Sequence, residues 1–118
     1  MSSQEESRSD LGSIRVHKNA IASIASIAAI DVQGVSRISR SLKSKISQFI
    51  GDKNQTDVKV DINKNEEVVV IIPLFIKYGF NLPEVADKVQ ENVRVALEKM
   101  TSLSVKDVNV NIVGIERG

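Results

Sequence analysis

The clearest structural signal in this sequence is the stretch VVVIIPLFIKYGFNLPEVADKVQENV, residues 68–93. It opens as an apolar strand, and Pro73, which has no amide hydrogen, is expected at a bulge or on an unpaired edge of that strand. Gly79 ends the strand, and Asn81 followed three residues later by Glu84 is the pattern of a helix capping box. The apolar spacing then predicts an amphipathic helix with a stripe of Val85, Val89, Val93, Ala96, Leu97 and Met100.

Two further strands flank this stretch. DVKVDIN, residues 57–63, alternates apolar and polar side chains, and the turn NKNE at 63–66 joins it to the long strand as a hairpin. On the long strand Val68 and its alternate neighbours point one way, and Val69, Ile71 and Phe75 point the other way. LSVKDVNVNIVGI, residues 103–115, predicts a last strand with Val108 and its alternate neighbours inward.

The N-terminal part predicts a strand and a helix. GSIRVHK, residues 12–18, alternates as a short strand does, and residues 19–34 follow with helical spacing. Ile21, Ile24, Ala25 and Ala28 make one face of that helix, and Ile27 and Ile30 are expected to widen it. The polar residues 1–10 predict a disordered tail, which leaves one domain over 11–118. The apolar run at 20–30 is too short for a membrane span, which needs about 20 residues.

The resulting order is β, α, a basic segment, β, β, α, β. This order predicts an α+β fold: a two-layer sandwich with a mostly antiparallel sheet and two main helices packed on one face. The segment between Val35 and Gln55 is ambiguous. Val35 to Ile38 is expected to start extended, and the remainder predicts either a short amphipathic helix or a mobile loop.

The composition argues against most catalytic chemistry. The 118 residues carry a net charge of +1, no cysteine and 3% aromatic residues, so thiolate chemistry and Cys-based metal sites are excluded. No phosphate-binding glycine loop is present. His17 is the single histidine. A surface histidine at a strand end is the simpler interpretation, and a general base is the alternative. We therefore predict no enzyme, no catalytic residue, no metal, no cofactor and no small-molecule substrate.

Two surfaces are candidates for interaction. The second face of the sheet could expose an apolar patch of Val69, Ile71, Phe75 and Val113, with Ile115; alternatively, the N-terminal strand and the basic segment fold over it. The basic segment 37–53 carries five cations and a single acid. It predicts a solvated helix face, a docking site for a protein or an anionic membrane surface through Arg40, Lys43 and Lys45, or weak nucleic-acid binding.

The order of these motifs resembles the alkaline-shock-protein family. GSIRVHKNAIASIASIAAIDVQGV is similar to the family's opening, and the strand ending in Tyr-Gly, the helix with Val-Gln-x-x-Val and the last strand MTSLSVKDVNVNIVGI are similar to its most recognisable part. The resemblance spans about residues 11–115. The middle segment, often rich in glycine in relatives, is basic here.

The resemblance implies a bacterial protein of the cytoplasm, tied to cell-envelope stress or homeostasis. It also implies association with itself and with a membrane-anchored protein, which would bring it to the inner face of the membrane. No catalytic residues are carried over from the family. We therefore predict a non-enzymatic scaffold that acts by self-association, by docking to a membrane-anchored partner or by peripheral membrane association. The alternative is a nucleic-acid-binding module that uses segment 37–53.

Overall fold

The computed structural model describes residues 18–40 and 57–117. The first helix, α1, covers 18–30. The remaining elements are, in chain order, β1 (Val35–Ile38), β2 (Lys59–Ile62), β3 (Glu67–Lys77), α2 (Leu82–Met100) and β4 (Ser104–Glu116). The predicted tail, the predicted N-terminal strand with His17, and the helix or loop predicted after Arg40 lie outside the described residues.

The long strand β3 is the centre of a four-stranded sheet. Strand β2 pairs antiparallel with its first half and β1 pairs antiparallel with its second half, both on one side. Strand β4 pairs parallel with β3 along the other side. A parallel pair needs a crossover connection, and α2 provides it. The predicted α+β sandwich with a mostly antiparallel sheet is therefore confirmed, with β4 as a parallel strand beside β3.

Pro73 lies where the sheet can tolerate a missing amide. On one side of β3, pairing with β2 extends to Ile71 and pairing with β1 begins at Leu74, so Pro73 falls between the two partner strands. Its carbonyl accepts a hydrogen bond from the Ser39 amide at 2.9 Å. The sequence placed Pro73 at a bulge or on an unpaired edge; it lies instead in the central strand, in register with Asn111 of β4, and its missing amide is tolerated at the gap between β2 and β1.

The core lies between the sheet and the helices. Alternate residues of β3 are fully buried, and so are four valine and leucine residues on one stripe of α2: Val68, Val70, Ile72, Leu74 and Ile76, with Val85, Val89, Val93 and Leu97. Helix α1 adds mainly small side chains, Ile21, Ala25, Ala28 and Ala29. Burial of each large aliphatic side chain contributes about 1.5–3 kcal/mol.

Two expectations about buried faces need correction. Ile27 and Ile30 are exposed, because the buried stripe of α1 turns toward Ala28 and Ala29 and leaves them on the far side of the helix. Strand β4 contains two bulges, because Lys106 and Val113 each have no partner residue on β3. The second one shifts the register, so Ile115 lies opposite the buried Ile76 and not on the outer face where it was expected.

The start of α2 agrees with the predicted cap. The Asn81 side chain accepts a hydrogen bond from the Glu84 amide at 3.0 Å, and Pro83 is in the first turn. Among the helices at 18–30 and 82–100, none combines the length and the apolar composition that a membrane span requires.

Candidate interaction surface

The outer face of the sheet carries the row of apolar residues that the sequence predicted. The outer apolar row consists of Val69, Ile71 and Phe75 on β3 and Val113 on β4. Ile71 is 39% exposed and Val113 is 48% exposed, whereas Val69 and Phe75 are half-buried. The structure thus brings these four predicted residues onto one face, opposite the helices.

Polar side chains border this row on both sides. Ile71 lies between Lys59 of β2 and Asn109 of β4 in the strand register. Val69 lies between Asp61 and Asp107 in the same way. The apolar surface is therefore a narrow stripe along β3 with a polar rim of mixed charge, which is the usual anatomy of a protein interface.

Phe75 is held in place by its neighbours. The Arg37 guanidinium carbon lies 4.0 Å from the centroid of the Phe75 ring, a cation–π distance. On the other side, a Cβ added at Gly114 would lie 3.2 Å from Phe75 Cε1, so the ring rests on the backbone of β4. Phe75 is thus partly covered, and the free apolar surface is contributed mainly by Ile71 and Val113.

Arg37 also spans the sheet from β1 to β4. Its Nη2 lies 3.1 Å from Glu116 Oε2, and its Nε donates to Glu116 Oε1 at 3.1 Å. Ser36 Oγ donates to the same Oε1 at 2.7 Å. The Ser36 and Arg37 hydrogen bonds lower the pKa of Glu116, because both stabilise the carboxylate form. Sequence reasoning missed this cluster because Arg37 and Glu116 are 79 residues apart and no local pattern links them.

Of the three basic residues predicted to dock a partner, only Arg40 lies among the residues that the structure describes. Arg40 is exposed immediately after β1. Lys43 and Lys45 lie outside the described residues, as does most of segment 37–53. Arg37, which belongs to that segment, is already engaged by Glu116 and Phe75. Nucleic-acid binding by this segment stays a prediction, and it would have to rely on the other cations.

Within 18–40 and 57–117, no group of three or more His, Cys, Asp or Glu side chains is placed to hold a metal ion. A shallow cavity of about 370 Å³ lies between the α1–β1 turn and α2. Its lining residues are Asp31, Val32, Gln33, Lys88, Glu91, Asn92 and Val95. None of these lining residues is a histidine, cysteine or serine.

A family model for the alkaline shock protein 23 family, described as having a cell envelope-related function, matches residues 6–117. The chain belongs to the alkaline shock protein 23 family. The resemblance drawn from the sequence is thereby confirmed. Membership in this family ties the protein to a cell envelope-related function.

A curated protein from Bacillus subtilis strain 168 is similar to part of this chain. The protein YqhY, described as uncharacterized, is 41% identical over 59 residues. The matched part is 50% of this chain and 43% of YqhY, so the chain spans less than half the length of that relative. The comparison with solved structures finds no match.

Proposed function

We propose that the protein is a non-enzymatic interaction module of the cell envelope that acts by self-association through the outer apolar row. The observation that carries this proposal is the exposure of Ile71 and Val113 on the sheet face opposite both helices. A single exposed apolar residue is ordinary. A row along one face of a sheet, bordered by polar side chains, is typical of a binding surface.

The charges around the row favour a second copy of the chain as the occupant. The rim contains Lys59 and Asp61 on β2 and Asp107 on β4, so both signs are present. In a two-fold dimer the same surface meets itself, and Lys59 of one copy can face an aspartate of the other. A rim of one sign would repel its own copy, whereas this rim can be self-complementary.

Light scattering of the wild-type chain and of Ile71→Asp tests the proposal. We expect a mass above that of one chain for the wild type and the mass of one chain for Ile71→Asp, because a carboxylate cannot be buried there without a partner. Ile27→Asp is the matched control, since Ile27 is exposed on α1 in the other layer, and this variant should associate as the wild type does. A single-chain mass for the wild type would reject self-association.

Phe75→Asp is a less selective probe of the same surface. It would also remove the ring beneath Arg37 and the contact with Gly114, so a loss of association could follow from local unfolding. If the wild type proves to be a single chain, a membrane-anchored protein is the next occupant to test. Affinity capture with and without detergent, on the wild type and on Ile71→Asp, provides that test. Turnover of a metabolite that one substitution abolishes would overturn the non-enzymatic assignment.

A further inference from the structure

A second exposed apolar surface lies at the end of the sheet where β3 and β4 finish. It consists of Lys77, Tyr78, Phe80, Ile115 and Arg117, which we call the aromatic tip. Tyr78 is 64% exposed, Ile115 is 54% exposed and Phe80 is 37% exposed. Lys77 and Arg117 are exposed beside them. None of these residues belongs to the outer apolar row or lines the cavity beside α2.

Backbone contacts bring the aromatic tip together from distant parts of the chain. The Tyr78 amide donates to the Glu116 carbonyl at 2.7 Å, which joins the end of β3 to the end of β4. The Arg117 guanidinium carbon then lies 4.8 Å from the centroid of the Tyr78 ring. A cation is thus held directly beside an exposed aromatic ring.

The backbone at the tip is largely satisfied internally. The amides of Lys77, Tyr78 and Phe80 donate to the carbonyls of Gly34, Glu116 and Lys77, at 2.7, 2.7 and 3.4 Å. An unpaired amide moved out of water costs several kcal/mol. Because these three amides are paired, they do not incur that penalty when the tip approaches a medium of low polarity.

The charges at the tip are mainly positive. Lys77 and Arg117 flank the aromatic side chains. The nearest acid in sequence, Glu116, is neutralised by its pair with Arg37. Glu84 is one further acid, in the first turn of α2. Exposed tyrosine with adjacent Lys and Arg is the combination found where proteins meet the headgroup region of a bilayer.

We propose that the aromatic tip binds the anionic phospholipid headgroups of a bilayer. Tyr78, Phe80 and Ile115 lie at the boundary between headgroups and acyl chains, and Lys77 and Arg117 contact lipid phosphates. The inference goes beyond self-association, because it assigns a different surface and a different ligand. A protein partner is the competing occupant. The observations favour lipid because the tip combines paired backbone amides, apolar side chains and flanking cations.

The single tyrosine provides a direct test. Tyr78 is the only tyrosine and the chain has no tryptophan, so tyrosine fluorescence of the intact protein reports on the tip alone. Vesicles containing phosphatidylglycerol should protect Tyr78 from acrylamide, an uncharged quencher. Pure phosphatidylcholine vesicles should protect it much less, and inorganic phosphate should have no effect.

Charge variants identify the residues that bind. Each cation near an anionic surface contributes about a fivefold gain in affinity, so Lys77→Gln with Arg117→Gln should reduce the affinity for vesicles, measured by cosedimentation, about 25-fold. The matched control is Lys64→Gln with Lys106→Gln, which removes the same charge near the opposite end of β3 and β4 and should bind nearly as the wild type does. Tyr78→Ser, at an exposed position, should also weaken cosedimentation.

Several results would overturn the proposal. These are the absence of binding to anionic vesicles, binding without protection of Tyr78, and an equal loss of binding in the two charge variants. Protection of Tyr78 by inorganic phosphate alone would assign a free anion as the ligand instead. The Ile71→Asp variant separates this inference from self-association, because it should still show protection of Tyr78 even as a single chain.

Discussion

At the scale of single residues, Glu116 connects the most distant parts of the chain. Its carboxylate accepts hydrogen bonds from Ser36 and Arg37 of β1, and its carbonyl accepts one from Tyr78 at the end of β3. The carboxylate lies on the outer face of the sheet, where the Arg37 guanidinium crosses over Phe75 to reach it. One acidic side chain therefore fixes the positions of a strand end, a cation and an aromatic ring.

A pH titration tests this role of Glu116. Its pKa is lowered in the folded chain, first by the Ser36 hydrogen bond and then by Arg37, so the carboxylate contributes stability at pH values above its unfolded pKa. That contribution should disappear as the pH falls through the folded pKa. We expect carbon NMR of the carboxyl group to show the lowered pKa, and Ser36→Ala and Arg37→Gln each to raise it. A pKa unchanged in both variants would contradict the assignment.

At the scale of elements, two glycines join helices to strands with positive φ. Gly34 links α1 to β1 with φ 104°, and Gly79 links β3 to α2 with φ 94°. Their surroundings differ. A Cβ at Gly34 would lie 2.8 Å from Phe80 Cδ1 and 2.9 Å from Val85 Cγ2, whereas a Cβ at Gly79 would have no neighbour within 4 Å.

Alanine substitution should separate backbone strain from steric overlap. Gly79→Ala should lower the free energy of unfolding by about 1–2 kcal/mol, which is the cost of positive φ alone. Gly34→Ala should lower it by about 2–5 kcal/mol, because overlap with Phe80 and Val85 is added. Urea unfolding of both variants measures the difference. An equal loss of unfolding free energy in the two variants would show that Phe80 moves aside without an energetic cost.

Local sequence signals predicted the elements well where those signals were strong. The alternation along β3, the Asn81 cap and most of the stripe of α2 follow from neighbouring residues, and the structure confirms them. Met100, which the sequence placed on that stripe, is 70% exposed at the end of the helix. The parallel pairing of β4 and its register shift at Val113 depend on contacts across the sheet. For this reason the sequence assigned Ile115 to the wrong face. The Arg37–Glu116 pair also depends on a contact across the sheet, so local patterns did not reveal it.

The candidate surfaces were predictable to different degrees. Simple alternation placed Val69, Ile71 and Phe75 together on the outer face. It could not show that Arg37 covers Phe75, since side chains that cross a strand leave no periodic signal. The aromatic tip was not predicted either, because Tyr78 and Arg117 meet only when β3 and β4 end side by side.

At the scale of the whole molecule, stability is centred on β3. This strand has partners on both sides and contributes the fully buried row from Val68 to Ile76. Strand β2, by contrast, has four residues and pairs with β3 alone among the described strands. The structure therefore predicts a gradient of local stability that falls from β3 toward β2.

Amide hydrogen exchange measures this gradient. The amides of β3 that lie within the ladder should exchange only through global unfolding, so their protection should match the free energy of unfolding from urea titration. The amides of β2 should exchange faster, through local opening. Protection in β2 as high as in β3 would show that the two strands open as one unit.

The contact between α2 and β4 has a consequence for solubility at high concentration. Gln90 and Arg94 donate hydrogen bonds from α2 to the carbonyls of Val108 and Val105, both at 2.9 Å. A foreign strand that extends the sheet beyond β4 would need backbone groups of this kind. Since the helix already occupies two of them near the start of β4, growth into cross-β fibres by addition of a foreign strand is disfavoured at that part of the edge.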